Sequence, residues 1–553
     1  MKYTVGADFG TLSVRAVLAE TATGKEILSV ERKYPHGVMI RFLPDGTALP
    51  PDHALQLPED YYSCLGDAVR TLMRDSGVKK EDVIGLGLDC TADTSLFVDE
   101  QNHPMCSQER FSACPSAYVR MWKHHGAEQE ARDIRRAAEK SAPELLECYG
   151  GRVFSEWMLP KLLESCRRAP DLVECADRYV QIGDWLVSCL TGSTARSASH
   201  AGFKNFRTEN GYPEEEFLVS LHPLMRRFFH LNLGEVLVPG SRAGGLTRGG
   251  AAFLGLRENT AVAVSGTDAL HPMPAMGLTR SGDLLMSIGT STCHVMLSEE
   301  FRPFPGICGV VRDGIIPGLY GYEAGQSATG DLFDWVVNRM TPPSWAQEAE
   351  KKQVSVHTLL TEKASSLLPG ESGLLMLDWW NGCRSPLMDS KLTGMILGLT
   401  LETGPEEVYR AAIEACAFST RMIVENFERH GIRVKRVFAC GGISRKNPLL
   451  MQIYADVLKK EIRAADSVQA AALGSAVLAA AAAGRESGGY DRVDEAAEHM
   501  KCASSAVYHP DEAAGKTYDR LYGQYLRLVG QFGEDSGSVM AETRRIREET
   551  EKE

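Results

Sequence analysis

The chain has 553 residues, too many for one hydrophobic core, so its length predicts two large domains. Its composition of 44% hydrophobic and 24% charged residues is typical of a globular protein, and its formal net charge of −13 argues against binding to nucleic acids or anionic membranes. The 14 cysteines form no C-x-x-C pair and no apolar run approaches the roughly 20 residues that span a bilayer, so we expect a cytoplasmic protein with reduced thiols.

The first predicted element is a β-hairpin at the start of the chain. The strand-like runs Tyr3–Ala7 and Ser13–Glu20 flank a turn that contains Gly10 and Thr11. Such a turn gathers backbone N–H groups and hydroxyl donors, so it can hold an anion. Asp8 ends the first run, where a carboxylate could hold Mg²⁺. For this copy alone, the alternative is an ordinary hairpin with a satisfied turn aspartate.

Strand-like and helical segments alternate through the rest of the first half. Ile84–Asp89 and Ser95–Val98 have the pattern of strands, and Asp60–Asp75 and Ala127–Lys140 have the pattern of helices. This alternation predicts an α/β fold with a mixed sheet.

A domain boundary is predicted near residue 257. The segment Val236–Gly255 is rich in glycine and turn residues, and a new strand begins at Ala261. The predicted domains are therefore residues 1–257 and 258–553.

Asp268 stands just after the apolar run Ala261–Val264. Residues past strand ends line the crevice of open α/β folds, so this is a candidate active-site position. A carboxylate there could accept a proton from a substrate hydroxyl, which is the main role of a base in phosphoryl transfer. The alternative is an aspartate that caps a helix.

The hairpin at the start of the chain recurs near the middle. Residues 285–297 again pass from an apolar run through a turn, Gly289 and Thr290, into a second apolar run. Ser287 stands where the first copy has Asp8, so the second copy is expected to hold phosphate without a metal. Two such turns, one in each half, predict two related domains that hold one polyphosphate between them.

A strand–turn–helix unit follows in the second half. Arg436–Cys440 is a predicted strand, Gly441 and Gly442 a turn, and Asn447–Leu458 a helix with an apolar face. Two glycines let a flat base or a ribose approach the backbone, and the start of a helix favours anions. This turn is therefore a candidate nucleotide site.

Three other segments have patterns that could suggest a function. Gly515-Lys516-Thr517 resembles the end of a phosphate-binding loop, but Pro510 stands where that loop requires glycine. His124 and His125 are adjacent and diverge by about 100° on a helix, which favours a surface or cleft wall over a shared metal. The charge-dense segment Gly533–Glu553 predicts a solvated helix or a frayed tail.

Together, these motifs resemble the phosphate, adenosine and base elements of the FGGY carbohydrate kinases, which belong to the sugar kinase/heat-shock/actin superfamily. A longer family signature is present as Gly394–Leu399 followed by Glu407–Glu414. Further stretches resemble the ribulokinases of that family: Trp122–His125, Ser155–Lys161, Pro305–Val311, Gly318–Ser327 and Leu377–Gly382. The resemblance implies two actin-like (ribonuclease H-like) α/β domains with a central cleft, and transfer of the ATP γ-phosphate to the 5-hydroxyl of L-ribulose with Mg²⁺.

The resemblance also implies roles for individual residues. Asp268 would be the catalytic base, and Ala92, Lys204, Asp268 and Glu323 would contact the sugar. Asp8 would help to bind Mg²⁺. The phosphates and the rest of the nucleotide would be held by Gly10, Thr11, Ser13, Gly289, Thr290, Gly330, Asp334, Gly441, Gly442 and Asn447.

Three positions depart from the pattern of the ribulokinases. Cys90 stands where phenylalanine is usual, Gly266 where asparagine is usual, and Ser116 where histidine is expected. All three fall near the predicted sugar side, so another pentulose or polyol, such as D-ribulose, xylulose or ribitol, is the alternative substrate. A non-enzymatic, sugar-responsive regulator is the second alternative. The expected partners are the sugar and MgATP, without nucleic acid or membrane, and the expected assembly is a homodimer.

Overall fold

The computed structural model describes residues 1–533 and 539–550. Within these residues the strands are β1 (Tyr3–Phe9), β2 (Ser13–Glu20), β3 (Glu26–Lys33), β4 (Leu55–Gln56), β5 (Val83–Cys90), β6 (Ser95–Val98), β7 (Val119–Arg120), β8 (Arg178–Gln181), β9 (Arg196–Ser197), β10 (Val236–Leu237), β11 (Arg242–Gly245), β12 (Ala261–Ala263), β13 (Gly266–Thr267), β14 (Asp283–Ile288), β15 (Thr292–Ser298), β16 (Gly309–Arg312), β17 (Tyr320–Gln326), β18 (Leu375–Leu377), β19 (Met395–Leu397), β20 (Arg436–Cys440), β21 (Ile462–Ala465) and β22 (Ser504–Tyr508).

The α-helices of the same residues alternate with these strands. They are α1 (Pro58–Ser76), α2 (Glu128–Ser141), α3 (Glu144–Glu147), α4 (Met158–Arg168), α5 (Pro170–Cys175), α6 (Ile182–Thr191), α7 (Ala198–Lys204), α8 (Glu215–Leu221), α9 (Phe228–Leu231), α10 (Arg248–Leu254), α11 (Pro272–Ala275), α12 (Gly330–Met340), α13 (Pro343–Lys352), α14 (Val356–Ser365), α15 (Pro405–Arg429), α16 (Gly442–Lys446), α17 (Pro448–Leu458), α18 (Ala470–Ala483), α19 (Val493–Met500), α20 (Glu512–Gly533) and α21 (Val539–Thr550).

Two mixed sheets form the centres of the two halves, and six of their strands have the same order when the second sheet is taken in reverse. The first runs β11-β12-β5-β1-β2-β3, and the second runs β16-β17-β15-β14-β20-β21-β22. In each sheet, three consecutive antiparallel strands (β1-β2-β3 and β14-β15-β17) are extended by two parallel strands (β5 and β12, and β20 and β21) and an antiparallel edge strand (β11 and β22). The first sheet also contains β13 beside β5, and the second also contains β16 beside β17. This shared order confirms the internal repeat and the fold of two actin-like α/β domains.

The predicted hairpins are the first pair of strands in each sheet. β1 pairs with β2, and β14 pairs with β15, both antiparallel around a short glycine-containing turn. Strand β1 is almost entirely buried because the sheet is covered on both faces, which explains its nearly continuous apolar run.

Helix α18 connects the two halves beneath the cleft. It follows β21 of the second sheet but packs on β1 and β5 of the first. The contact is close because strand glycines leave room for the helix backbone: a Cβ added at Gly6 would lie 1.8 Å from the carbonyl oxygen of Ala472, and one at Gly87 would lie 2.0 Å from that of Ser475. The small residues of the alanine-rich helix permit the same approach from its side.

The boundary predicted near residue 257 needs correction. Strands β12 and β13 lie beyond it, yet both pair with β5 in the first sheet. The second sheet begins only at Asp283. Pairing therefore places the division of the chain between Thr267 and Asp283, because a turn-rich segment marks a loop without showing which sheet the next strand joins.

Other predicted segments lie where the sequence indicates. The helices predicted at Asp60–Asp75 and Ala127–Lys140 correspond to α1 and α2. Within Gly533–Glu553, residues 539–550 form the exposed helix α21, whereas residues 534–538 and 551–553 are outside the described residues. In the part of the chain that the structure describes, no helix is both long and apolar enough to cross a bilayer.

Candidate active site

A cleft with a cavity volume of about 360 Å³ lies between the two hairpin turns. Both halves of the chain contribute to its walls. The predicted residues that line it are Asp8, Thr11, Ala92, Lys204, Asp268, Gly289, Thr290, Glu323 and Gly441. A concave site with a few convergent polar groups is the usual form of a small-molecule site.

The two turns use their glycine N–H groups internally. Gly10 N–H donates to the carbonyl oxygen of Ser13 at 3.0 Å, and Gly289 N–H donates to that of Ser291 at 2.9 Å. The glycines therefore shape the turns, which differs from the expectation that they offer their N–H groups to an anion. The hydroxyls of Thr11, Thr290 and Ser291 line the cleft and are the candidate donors. The Thr11 hydroxyl accepts from the Trp122 indole at 3.1 Å, so its own O–H stays free to donate.

Three carboxyl groups meet at the floor of the cleft. Asp8 and Asp89 are register partners on the parallel strands β1 and β5, and Asp268 follows β13, the next pairing partner of β5. Burial and the Asp89 carboxyl raise the pKa of Asp8 well above its usual value. Burial, with a further contribution from Asp8, raises the pKa of Asp268 to about 8. Burial is the larger cause of both shifts, and repulsion between the neighbouring carboxyl groups adds to it.

The chemistry of this donor set suits a magnesium ion. Carboxylate oxygens are the ligands that Mg²⁺ prefers, and a divalent cation would offset the charge of the three carboxyls. Arg15 is the nearest cationic partner of Asp8, at 3.6 Å, but its side chain is 42% exposed. In the second half, the register partners Ser287 and Cys440 stand where the first half has Asp8 and Asp89. The acidic pair therefore lies in the first sheet and has no acidic counterpart at the equivalent positions of the second.

The Asp89 carboxylate is hydrogen-bonded by a residue from the second half of the chain. Ser475, on α18, donates to the Asp89 carboxylate and is bonded in turn to His271 at 2.7 Å. Burial, with a smaller contribution from Asp268, raises the pKa of Asp89 to about 8, although the bond from Ser475 opposes that shift. Helix α18 thus ties the floor of the cleft to both halves.

A buried ion pair forms the opposite wall. Lys204, at the end of α7, donates to the Glu323 carboxylate on β17 at 2.9 Å, and both side chains are over nine-tenths buried. Burial disfavours the charged ammonium, but Glu323 outweighs this and raises the pKa of Lys204 above its usual value. The Trp157 ring lies 5.9 Å from the ammonium. This wall offers a donor and an acceptor to hydroxyl groups.

The Gly441–Gly442 turn closes the cleft on the side of the second sheet. Gly441 has a left-handed backbone (φ +102), and a Cβ there would lie 2.3 Å from the carbonyl oxygen of Ile288. At Gly442 a Cβ would meet nothing within 4 Å. One glycine is therefore required by the protein, whereas the other leaves space that a ligand can use.

This contrast predicts different results for two substitutions. Gly441→Ala should lower the unfolding temperature and reduce activity, because the new methyl group collides with the second hairpin. Gly442→Ala should leave the unfolding temperature within about 2 °C of the wild type, equivalent to under ~1 kcal/mol, and should raise KM for ATP alone. Thermal unfolding and steady-state kinetics distinguish them, and equal KM values for ATP in Gly442→Ala and the wild type would remove Gly442 from the nucleotide site.

Six predicted residues do not line the cleft: Gly10, Ser13, Gly330, Asp334, Gly442 and Asn447. Gly330 packs beside it, with its N–H bonded to the carbonyl oxygen of Gly289 at 3.0 Å. The polar atoms of three others are engaged within the protein. Ser13 donates to Glu31, Asp334 contacts His357, and Asn447 accepts from the Leu450 N–H to cap α17.

Four charged residues in the cleft wall are absent from the predicted set: Arg15, Asp93, Glu156 and Arg384. Two of them carry a signal in the sequence. Arg15 is the hairpin partner of Asp8, and Asp93 directly follows Ala92. Arg384 lies in a loop beyond β18 that no periodic pattern predicts.

His124 differs from its predicted position at a surface or cleft wall. It is 1% exposed and donates from Nε2 to Glu164 at 3.1 Å, whereas His125 is exposed. His53 lies beside them, its Nε2 at 4.0 Å from Glu164. Arg120 and Arg168 already pair with Glu164. The two arginines therefore compensate the charge of Glu164. The cluster of His53, His124 and Glu164 needs no metal ion for charge balance.

Removing the Glu164 charge should destabilise the first domain. Glu164→Gln leaves the buried Arg120 guanidinium without its carboxylate, and we expect a loss of about 3–5 kcal/mol in the free energy of unfolding. Chemical denaturation measures this free energy. The control is the ion pair of Arg135 and Glu139 on the surface of α2. There, Glu139→Gln should cost under about 1 kcal/mol. Equal losses in the two variants would contradict the structural role.

Comparisons with known proteins give consistent results. The models of the FGGY family of carbohydrate kinases match residues 3–273 (N-terminal domain) and 284–483 (C-terminal domain). The chain is 44% identical to a ribulokinase of Bacillus licheniformis over 97% of this chain and 98% of that protein. It is 45% identical to a ribulokinase of Halalkalibacterium halodurans, over 98% and 96%.

Solved structures show the same fold at lower identity. The crystal structure of a xylulose kinase from Rhodospirillum rubrum has a TM-score of 0.77 at 21% identity, covering 96% of this chain and 98% of that one. The ligand-bound xylulose kinase from Lactobacillus acidophilus has a TM-score of 0.79 at 17% identity, covering 97% and 99%.

Proposed function

We propose that this chain, which belongs to the FGGY family of carbohydrate kinases, transfers the γ-phosphate of ATP to the 5-hydroxyl of L-ribulose. The products are ADP and L-ribulose 5-phosphate. The substrate follows from relatives named ribulokinase that are 44–45% identical over nearly the whole chain. The observation that carries the proposal is the position of Asp268, which lies in one cleft with the Lys204–Glu323 pair and both hairpin turns.

The sugar would bind against the first domain. The Lys204 ammonium would donate to sugar oxygens, and the Glu323 carboxylate would accept from sugar hydroxyls. Both side chains line the cleft, as does Ala92, whose backbone would lie beside the sugar. Because both charged groups are buried and paired, they are fixed before the sugar arrives, which lowers the entropic cost of orienting it.

Asp268 would accept the proton of the attacking hydroxyl. Its carboxylate is held by the Ala269 N–H at 2.7 Å, and its own N–H is bonded to the Cys90 carbonyl oxygen at 2.9 Å. Phosphoryl transfer passes through a loose transition state, so alignment and late proton removal are the main demands on this residue. The hydroxyls of Thr11, Thr290 and Ser291 would donate to phosphate oxygens.

Mg²⁺ held by Asp8 would supply positive charge to the phosphate oxygens. Closure of the two domains around the cleft would exclude water, which would otherwise compete with the sugar for the phosphoryl group. The Gly441–Gly442 turn would receive the nucleoside part of ATP.

A panel of ketopentoses and polyols tests the substrate. ADP release is measured with L-ribulose, D-ribulose, L-xylulose, D-xylulose, ribitol and glycerol at fixed MgATP. The proposal expects the highest kcat/KM with L-ribulose. A higher value with xylulose, ribitol or glycerol would assign the chain to another substrate of the same family.

A further inference from the structure

We propose that Asp93 is a further sugar-binding residue, whose carboxyl group accepts a hydrogen bond from a ketopentose hydroxyl and so helps to determine which sugars the cleft accepts. This inference rests on the proposed function. It concerns a residue that directly follows Ala92 in the turn after β5 and lines the cleft.

The Asp93 carboxyl is buried without a complete set of partners. The residue is 3% exposed, and among the described residues its Oδ1 atom has no hydrogen-bond partner. Buried polar atoms in native proteins are almost always bonded, so an exception at the wall of a ligand cleft requires an explanation. A sugar hydroxyl at this place would supply the missing donor.

The backbone at Asp93 is held in an uncommon conformation. Its φ of +57° lies in the left-handed region, which a residue other than glycine adopts only when its surroundings enforce it. Lys161 enforces it here, because its buried ammonium donates to the carbonyl oxygens of Asp93 at 2.7 Å and Met121 at 2.9 Å. Thr94 also donates to the Ala92 carbonyl oxygen at 3.2 Å. The turn that aims the carboxyl group is therefore fixed.

The polar groups around Asp93 suit a hydroxyl-rich ligand. Burial raises the pKa of Asp93 to about 7; Lys204 and Lys161 oppose this shift, whereas Glu156 and Glu323 add to it. Three carboxyl groups on this wall, those of Asp93, Glu156 and Glu323, are hydrogen-bond acceptors, and the Lys204 ammonium is a donor. Sugar hydroxyls can donate to the carboxyl groups and accept from Lys204, so the wall suits a polyhydroxy ketone.

Two variants separate the carboxyl group from the backbone conformation. Asp93→Gly removes the side chain while keeping a residue suited to the left-handed conformation, and Asp93→Asn keeps the shape without the charge. Asp52→Gly is the matched control, because Asp52 also has a left-handed φ (+64°) but is exposed and outside the cleft.

Steady-state kinetics with each ketopentose and with ATP test the assignment. We expect Asp93→Gly to raise KM for L-ribulose about 10–100-fold, as for loss of a hydrogen bond to a charged group, and to reduce the preference for L-ribulose over its epimers. KM for ATP and the unfolding temperature should match those of Asp52→Gly. Asp93→Asn should fall between Asp93→Gly and the wild type.

The outcomes distinguish a failure of this inference from a failure of the proposed function. An unchanged KM and an unchanged sugar preference in both Asp93 variants would overturn the role of Asp93 while the wild type still phosphorylates L-ribulose. An equal loss for every sugar together with a raised KM for ATP would also overturn it, since that pattern reports general damage. If the wild type phosphorylates no ketopentose, the proposed function fails, and this inference fails with it.

Discussion

Asp268→Asn is expected to lower kcat by roughly 10²–10⁴-fold, the usual contribution of a positioned general base. Asparagine has nearly the same shape and can keep the contact with the Ala269 N–H. It cannot accept a proton from the sugar hydroxyl. The loss should therefore appear in the chemical step and not in the assembly of the cleft.

Binding measurements separate these two effects. Titration calorimetry should give a dissociation constant for L-ribulose within about threefold of the wild type, under ~1 kcal/mol. The control is Asp171→Asn, at an exposed position in the first turn of α5, which should leave kcat unchanged. A kcat near that of the wild type in Asp268→Asn would show that another group takes the proton.

Glu323→Gln is expected to have the second large effect. It leaves the buried Lys204 ammonium without the carboxylate that lies 2.9 Å away. Breaking a buried ion pair from one side costs about 3–5 kcal/mol in the free energy of unfolding. Because the same carboxylate is proposed to accept from the sugar, KM for L-ribulose should rise by more than about tenfold as well.

A double-mutant cycle with Lys204→Met distinguishes stability from binding. The double variant removes both charges, so chemical denaturation should show it to be more stable than Glu323→Gln alone. Sugar affinity should not recover, since both contact groups are then gone. Recovery of sugar affinity in the double variant, or an unchanged stability in Glu323→Gln, would contradict the assigned role of the pair.

The fold could be predicted from the sequence to the extent that it depends on local patterns. Both hairpins and the strand–turn unit before α16 have apolar runs next to glycine turns, the helices α1 and α2 have periodic apolar residues, and each of these elements occurs in the structure. The boundary near residue 257 was wrong because it depends on pairing between distant strands. Only the bonds from β12 and β13 to β5 show that they belong to the first sheet.

The candidate site could be predicted where a residue's place follows from its strand. Asp8 and Asp268 stand at or just past strand ends, and the topology brings such ends to one edge of the sheet. Sequence does not show which way a side chain points within a turn. Ser13 is close in sequence to Thr11, which lines the cleft, yet the Ser13 hydroxyl donates to Glu31. Asp93 enters the cleft from a turn whose carbonyl oxygen is bonded to Lys161, and Arg384 enters it from a loop beyond β18.

The paired hairpins therefore have the same shape but different chemistry. The first places Asp8 beside Asp89, and the second places Ser287 beside Cys440 at the equivalent register. An acidic, metal-suited pair thus faces a neutral pair across the cleft. This asymmetry sets the metal side of the proposed reaction on the first domain.

The central claim is phosphoryl transfer from ATP to the 5-hydroxyl of L-ribulose, and product analysis tests it most directly. Wild-type protein is incubated with MgATP and L-ribulose, and the products are followed by ³¹P and ¹³C nuclear magnetic resonance. The account predicts one ADP for each sugar phosphate formed, with the phosphorus coupled to C5 of the ketopentose. ADP formation that does not depend on L-ribulose, or a phosphate on another carbon, would contradict it.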